Sequence, residues 1–129
     1  MKKIVFVALF VISSFLIVQA QTNNEVYTFA EQMPEYKGGM DSIMHFIQKN
    51  LKYPDKAKKV SIEGRVIVQF IVNTTGEIED IQIKKSLFKE CDEEVVRVVS
   101  IMPRWNPGKQ NGKAVSVRYM LPVLFRLKD

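Results

Sequence analysis

A chain of 129 residues has room for one folded domain and no more. Its 47% hydrophobic and 26% charged residues are those of a globular protein and exclude a disordered or collagen-like one. One cysteine and one histidine exclude an internal disulfide and a four-ligand Cys/His zinc site, so no metal and no cofactor is expected.

The net charge of +5 is unevenly founded. Met1 to Ala20 holds Lys2 and Lys3, no acid, and an apolar run from Ile4 to Val18 broken only by Ser13 and Ser14. Val18-Gln19-Ala20 then offers a small-residue cleavage site, the pattern of a secretory signal peptide. The apolar run falls short of the 17 or so residues that a spanning helix needs, although an uncleaved inner-membrane anchor stays open as the alternative. No cysteine lies at the junction, which excludes a lipoprotein. The expected organisation is a signal peptide over 1–20, a flexible lead over 21–33 and one domain over 34–129, periplasmic after cleavage. Without Lys2 and Lys3, 17 basic residues face 14 acidic ones. These are dispersed, with no basic block longer than Lys58-Lys59 or Lys84-Lys85, so nucleic acid is not an expected partner.

Gly38-Gly39 interrupts the chain before the first clear helix. There Met40, Ile43, Met44, Ile47 and Leu51 share one face at helical spacing, and Asp41 suits the positive helix end. Tyr53-Pro54 stops it, and Pro54 can open a short turn through Ala57. Gly64 precedes a strand in which Val66, Val68, Phe70 and Val72 alternate. Its second face, Ile67, Gln69 and Ile71, is apolar enough for a central position. Asn73-Thr74-Thr75-Gly76 reads as a hairpin connection. In the strand that follows, over about 77–85, Ile78 is out of phase with Ile81 and Ile83, which predicts a bulge near Glu79-Asp80. Asp92-Glu93-Glu94 opens a second helix with Val95, Val98, Val99 and Met102 as its apolar stripe, ended by Pro103. A turn-rich stretch, Trp105-Asn106-Pro107-Gly108 and Asn111-Gly112, leads into the last strand.

In that last strand Val115, Val117, Tyr119, Leu121, Val123, Phe125 and Leu127 alternate without a miss. It is about twice the usual 5–6 residues, and it contains Pro122, a residue confined to edges, strand starts or bulges. The expected fold is α+β: a three-stranded antiparallel sheet in the order 2-1-3 with two helices on one face. The long last strand then lies at an open edge, where an extended peptide can be added as a further strand.

Several of these residues carry a family resemblance. Tyr53-Pro54 with Ala57, Gly64 and the strand to Val72, Gly76, Asp92 to Val99, Pro103-Arg104-Trp105, Pro107-Gly108, Gly112-Lys113 and Val115 to Leu127 occur in one order. Together, over about 34–127, they resemble the C-terminal domain of TonB, a TonB/TolA C-terminal-like fold. The resemblance implies a protein-binding module that pairs with the TonB box of an outer-membrane TonB-dependent transporter by strand addition at its last strand. It implies partner contacts at Asn50, Lys52 and Tyr53, just before the Tyr-Pro pair. Along the edge the expected contacts are Ser116, Arg118, Met120, Val123 and Phe125. Pro54, Gly64, Gly76, Trp105, Pro107 and Gly108 match as scaffold. An energy transducer of this family also has an inner-membrane anchor for the ExbB–ExbD motor and a long proline-rich linker. Here Gln21 to Glu35 could extend only about 50 Å, so ExbB–ExbD is expected as a partner only if the N-terminal segment is retained. A strand-paired homodimer uses the same edge and is the other alternative.

The remaining polar features carry no chemistry. His45 has no second histidine and lies off the apolar stripe. The acids beside Cys91 oppose thiolate formation. Gly108 to Lys113 lacks the spacing of a phosphate loop and leads into a strand. No nucleophile–base constellation is present, and an enzyme is not expected.

Overall fold

The computed structural model describes residues 25–128, and the expected signal segment lies outside the described residues. In chain order the elements are β1 (Val26–Tyr27), α1 (Gly39–Asn50), α2 (Asp55–Lys59), β2 (Gly64–Val72), β3 (Ile78–Lys85), α3 (Lys89–Ser100), β4 (Gly108–Gln110) and β5 (Lys113–Phe125). The fold is α+β. Its central strands run β3-β2-β5, all antiparallel, which is the expected 2-1-3 order.

The pairing of β2 with β5 follows from two matched alternations. Val66, Val68, Phe70 and Val72 are fully buried on one face of β2. They stand opposite Val123, Leu121, Tyr119 and Val117 of β5 in a register that runs unbroken from Gly64↔Phe125 to Val72↔Val117. The predicted bulge is present in β3. Asp80 adopts a positive φ of 52°, and the register with β2 shifts between Gln69↔Gln82 and Ile71↔Glu79. The extra residue returns Ile78 to the phase of Ile81 and Ile83, and all three pack against the core.

Four features differ from expectation. The sheet has two further short strands, β1 parallel to β5 and β4 antiparallel to it. From residue 25 onward the expected flexible lead is built into the fold: Val26 and Tyr27 pair with Ser116 and Val117, and Gln32 and Glu35 bridge Lys109 and Asn106. The cause is the length of β5. Because β2 covers only Val117–Phe125, the main-chain groups of 113–116 need other partners, which β4 and β1 supply.

The buried stripe of α1 also turns out rotated. Ile43 and Ile47 are buried, whereas Met40 and Met44 are 54% and 42% exposed. Tyr36, buried just ahead of the helix, meets the Phe46 ring at 6.2 Å and draws the Ile43–Phe46–Ile47 face inward. Finally, α3 begins at Lys89 and not at the acidic triplet. Asp92 accepts bonds from the Ser86 hydroxyl and from the Leu87 N–H at 3.0 Å. It thereby ties down the preceding turn and leaves Cys91 buried inside the first helical turn.

Trp105 closes one end of the core. Its ring meets Tyr36, Phe70 and Tyr119 with centroids 5.4, 5.5 and 4.9 Å away. Its indole N–H is buried without an acceptor, a cost of about 1–3 kcal/mol. Burying roughly 200 Å² of aromatic surface offsets that with about 5 kcal/mol. The backbone N–H of Trp105 donates to the Gly76 carbonyl at 2.8 Å, docking the β2–β3 turn on this cluster. At Gly76, with φ +86°, a Cβ would lie 1.9 Å from the Trp105 carbonyl oxygen. Gly112, in the tight β4–β5 turn with Asn111, has φ +77° but open space around it. Gly112→Ala is therefore expected to cost about 1 kcal/mol from backbone strain alone. Gly76→Ala should cost at least about 2 kcal/mol more, because the turn must move off Trp105. Urea denaturation of the two variants measures the difference.

Candidate protein-binding edge and groove

β5 has β2 along one side over its whole C-terminal part. Along the other side β1 reaches only Ser116 and Val117, so from Arg118 to Phe125 that edge has no strand partner among the described residues. Ser116, expected on the open edge, lies where Val26 is already paired. The register passes through Pro122, opposite Ile67, without a shift.

A groove of about 620 Å³ runs beside this open stretch. One wall is the C-terminal half of α1 and its exit: Met44, Ile47, Gln48, Leu51 and Tyr53. The other is β5 from Pro122 onward, with Arg126 and Lys128 at its end. No residue of β2 lines it, which places the groove on the open side of β5. Side chains alternate across the strand. Val123 and Phe125 are buried, so the part they can play toward a partner is through main chain. Arg118 is exposed, and Met120 and Leu124 are 52% and 49% exposed on the face away from the helices.

At the rim of the groove Leu51 and Tyr53 line it whereas the expected contacts Asn50 and Lys52 do not; the stretch from Asn50 to Tyr53 is held from behind by α3. The Arg97 guanidinium donates to the Asn50 carbonyl at 2.7 Å and to both Glu94 carboxylate oxygens, at 2.9 and 2.7 Å. Glu94 also accepts the Lys52 N–H at 2.7 Å. The Asn50 amide is turned back onto the Phe46 carbonyl. The Tyr53 hydroxyl donates to the Ile62 carbonyl, and its ring packs edge-on against Phe125 at 5.4 Å. Of the expected scaffold residues, Pro54 precedes α2, Gly64 opens β2, Trp105 and Gly76 meet as described, and Pro107-Gly108 starts β4.

Comparison with known proteins agrees with this fold. The family model described as Gram-negative bacterial TonB protein C-terminal matches residues 49–127. The chain belongs to the TonB C-terminal family. Over 76 residues it is 32% identical to Protein TonB of Pseudomonas aeruginosa, an alignment covering 59% of this chain and 22% of that protein. It thus spans about a fifth of the length of the curated relative it matches. Among solved structures, two fragments of the Helicobacter pylori TonB C-terminal domain superpose with TM-scores of 0.53 and 0.51, at 22% and 25% identity. Each covers 70% of this chain, and the matches take in 95% and 81% of the respective fragments. The match to the TonB C-terminal family begins at residue 49, so most of α1, including Met44 and Gln48 of the groove wall, lies ahead of it.

Several residues of this site escape sequence reasoning. Leu124 and Arg126 continue the phase of Arg118 and Met120 and could have been reached by extending that alternation. Met44 looked like core. Nothing local links Glu94 and Arg97 to Asn50, more than 40 residues earlier.

Glu94 yields a pH prediction. The hydrogen bond from Arg97 holds its carboxyl below the usual range, aided by the Lys52 N–H. A folded-state value lower than the unfolded one stabilises above the unfolded value near 4.5, and that stability is lost as pH falls through the folded value. Glu94→Gln should accordingly lower the urea midpoint at pH 7, and the gap from the parent should close toward pH 3. Cys91 gives another. Burial, then the Asp92 and Glu90 carboxylates, push its thiol up, so it should react with an aromatic disulfide reagent at pH 8 only after denaturant is added.

Proposed function

We infer that this chain is a periplasmic protein-binding module that takes up TonB-box segments of outer-membrane transporters as an added strand along Arg118–Phe125. The observation that carries the reading is the unpaired edge of β5 with an apolar groove beside it. Such an edge offers main-chain hydrogen bonds for affinity and a groove for alternate side chains. Membership of the TonB C-terminal family supports it. Arg118 and Met120 contribute side chains, Val123 and Phe125 contribute main chain, and Tyr53 lines the groove with Asn50 and Lys52 beside it.

Export through cleavage of 1–20 puts the domain in the periplasm. Retention of that segment would instead make it a short membrane-anchored transducer able to meet ExbB–ExbD, and the intact mass of the protein from its native envelope separates the two.

Strand addition has a direct test that leaves the protein untouched. A TonB-box peptide is N-methylated on alternate residues in one phase, then in the other. Methylation in the phase facing β5 should weaken binding roughly ten-fold or more, since each lost bond is worth about 1 kcal/mol. The opposite phase should bind nearly as well as the parent. Equal affinity for both phases would sink the reading.

A further inference from the structure

On the other flank of α1 lies a second cavity, of about 480 Å³, a size usual for small-molecule sites. It shares no lining residue with the groove beside β5. It also lies almost wholly ahead of residue 49, where the family match begins, so it is a feature of this chain and not of the matched domain. Tyr36, Phe46 and Pro103 supply its apolar surface. Asp41, His45 and Lys49 stand along it at the four-residue spacing of one helix face.

Tyr36 is the telling residue. It is only 6% exposed, with its ring packed on Phe46 and Trp105. Its hydroxyl has no hydrogen-bond partner among the described residues, and burial alone holds its pKa above the usual tyrosine value. Yet that hydroxyl is not sealed in, as the Trp105 indole N–H is. The opening it faces is the cavity. A buried donor left unpaired is costly, and here a ligand can pair it.

The charges say what kind of ligand. Lys37, Lys49 and Arg104 line the cavity against Asp41. Glu77 matches Arg104 at 3.4 Å, whereas Lys37 and Lys49 make no ion pair among the described residues. Residues 1–24 contain no acid, and Asp129 follows Lys128, which lines the groove on the opposite flank of α1. Lys49 stands about 12 Å along the helix from Asp41, more than the ~8 Å screening length at physiological salt. The Lys49 end is therefore where negative charge is favoured, with the His45 imidazole N–H as a further donor.

We propose that this cavity binds a small organic anion, its carboxylate or phosphate oxygens held by the Tyr36 hydroxyl, Lys49 and His45, and its apolar body lying on Phe46 and Pro103. Lys37 offsets Asp41 at the far end. The site stands independently of strand addition at β5.

Trp105 is the single tryptophan of the chain, and its ring lies 5.4 Å from that of Tyr36, so its emission reports occupancy. The purified protein is titrated at constant ionic strength with benzoate, phenyl phosphate, benzyl alcohol and benzylammonium. At least one of the two anions should saturate the signal and bind about five-fold tighter than benzyl alcohol, and the tighter of the two names the oxyanion. Tyr36→Phe keeps the ring and removes the donor, so it should weaken that anion about ten-fold, as for a hydrogen bond to a charged group. Its urea midpoint should not fall, because the lost hydroxyl had no partner. Lys49→Gln, at an exposed position, should weaken the anion about three-fold and leave benzyl alcohol unchanged. Anion binding that ignores both variants overturns the proposal, as does equal affinity for benzyl alcohol and both anions. No saturable response to any probe overturns it too. Tighter binding of benzylammonium would assign the cavity to a cation held by Asp41, and overturn it in that way.

Discussion

Everything in this domain depends on the pairing of β2 with β5. The two strands meet in an unbroken register from Gly64↔Phe125 to Val72↔Val117, and each carries an apolar residue at every second position on the buried face. Side chains in a strand repeat every two residues, so a slip by one would turn Val66, Val68, Phe70 and Val72 out to solvent. The register is therefore strongly specified, and it creates the floor on which α1 and α3 settle. Trp105, wedged among Phe70, Tyr119 and Tyr36, then closes the end of that floor and holds the β2–β3 turn.

The same pairing generates the site. β5 is longer than β2, and the excess has to find main-chain partners from β4 and from the N-terminal stretch around Val26. What is left is a short open edge bounded on one side by β1 and on the other by the end of the strand. Edges of this kind are a liability in a protein without use for them. Here the open stretch is confined and flanked by a groove, which favours a defined incoming segment over indiscriminate sheet growth.

The rim of that groove is positioned from α3. Glu94 and Arg97 bind each other and the main chain at Lys52 and Asn50. Exposed ion pairs contribute little to stability. This one differs in that the Glu94 side chain is only 13% exposed and also accepts the Lys52 backbone N–H. It links the helix packed on the sheet to the loop beside the groove, whereas Cys91 and His45, the residues with more conspicuous side-chain chemistry, take no part in the groove.

The sequence by itself determined the central sheet order, the hairpin at Asn73 to Gly76, the bulge at Asp80 and the place of both main helices. These rest on period-two and period-3.6 patterns and on turn residues, all of which act over a few positions. It also located the last strand as one with an open edge, because its length and Pro122 are visible in the chain. Tertiary structure alone decided which face of α1 is buried, since that depends on Tyr36, itself packed on Trp105, meeting Phe46. It alone decided that residues from Val26 onward join the sheet and close part of the edge, and that Glu94 and Arg97 hold the rim. Each of these is a contact between residues far apart in the chain, made only because β5 needed partners or because α3 came to lie beside α1, and no local pattern encodes such a meeting.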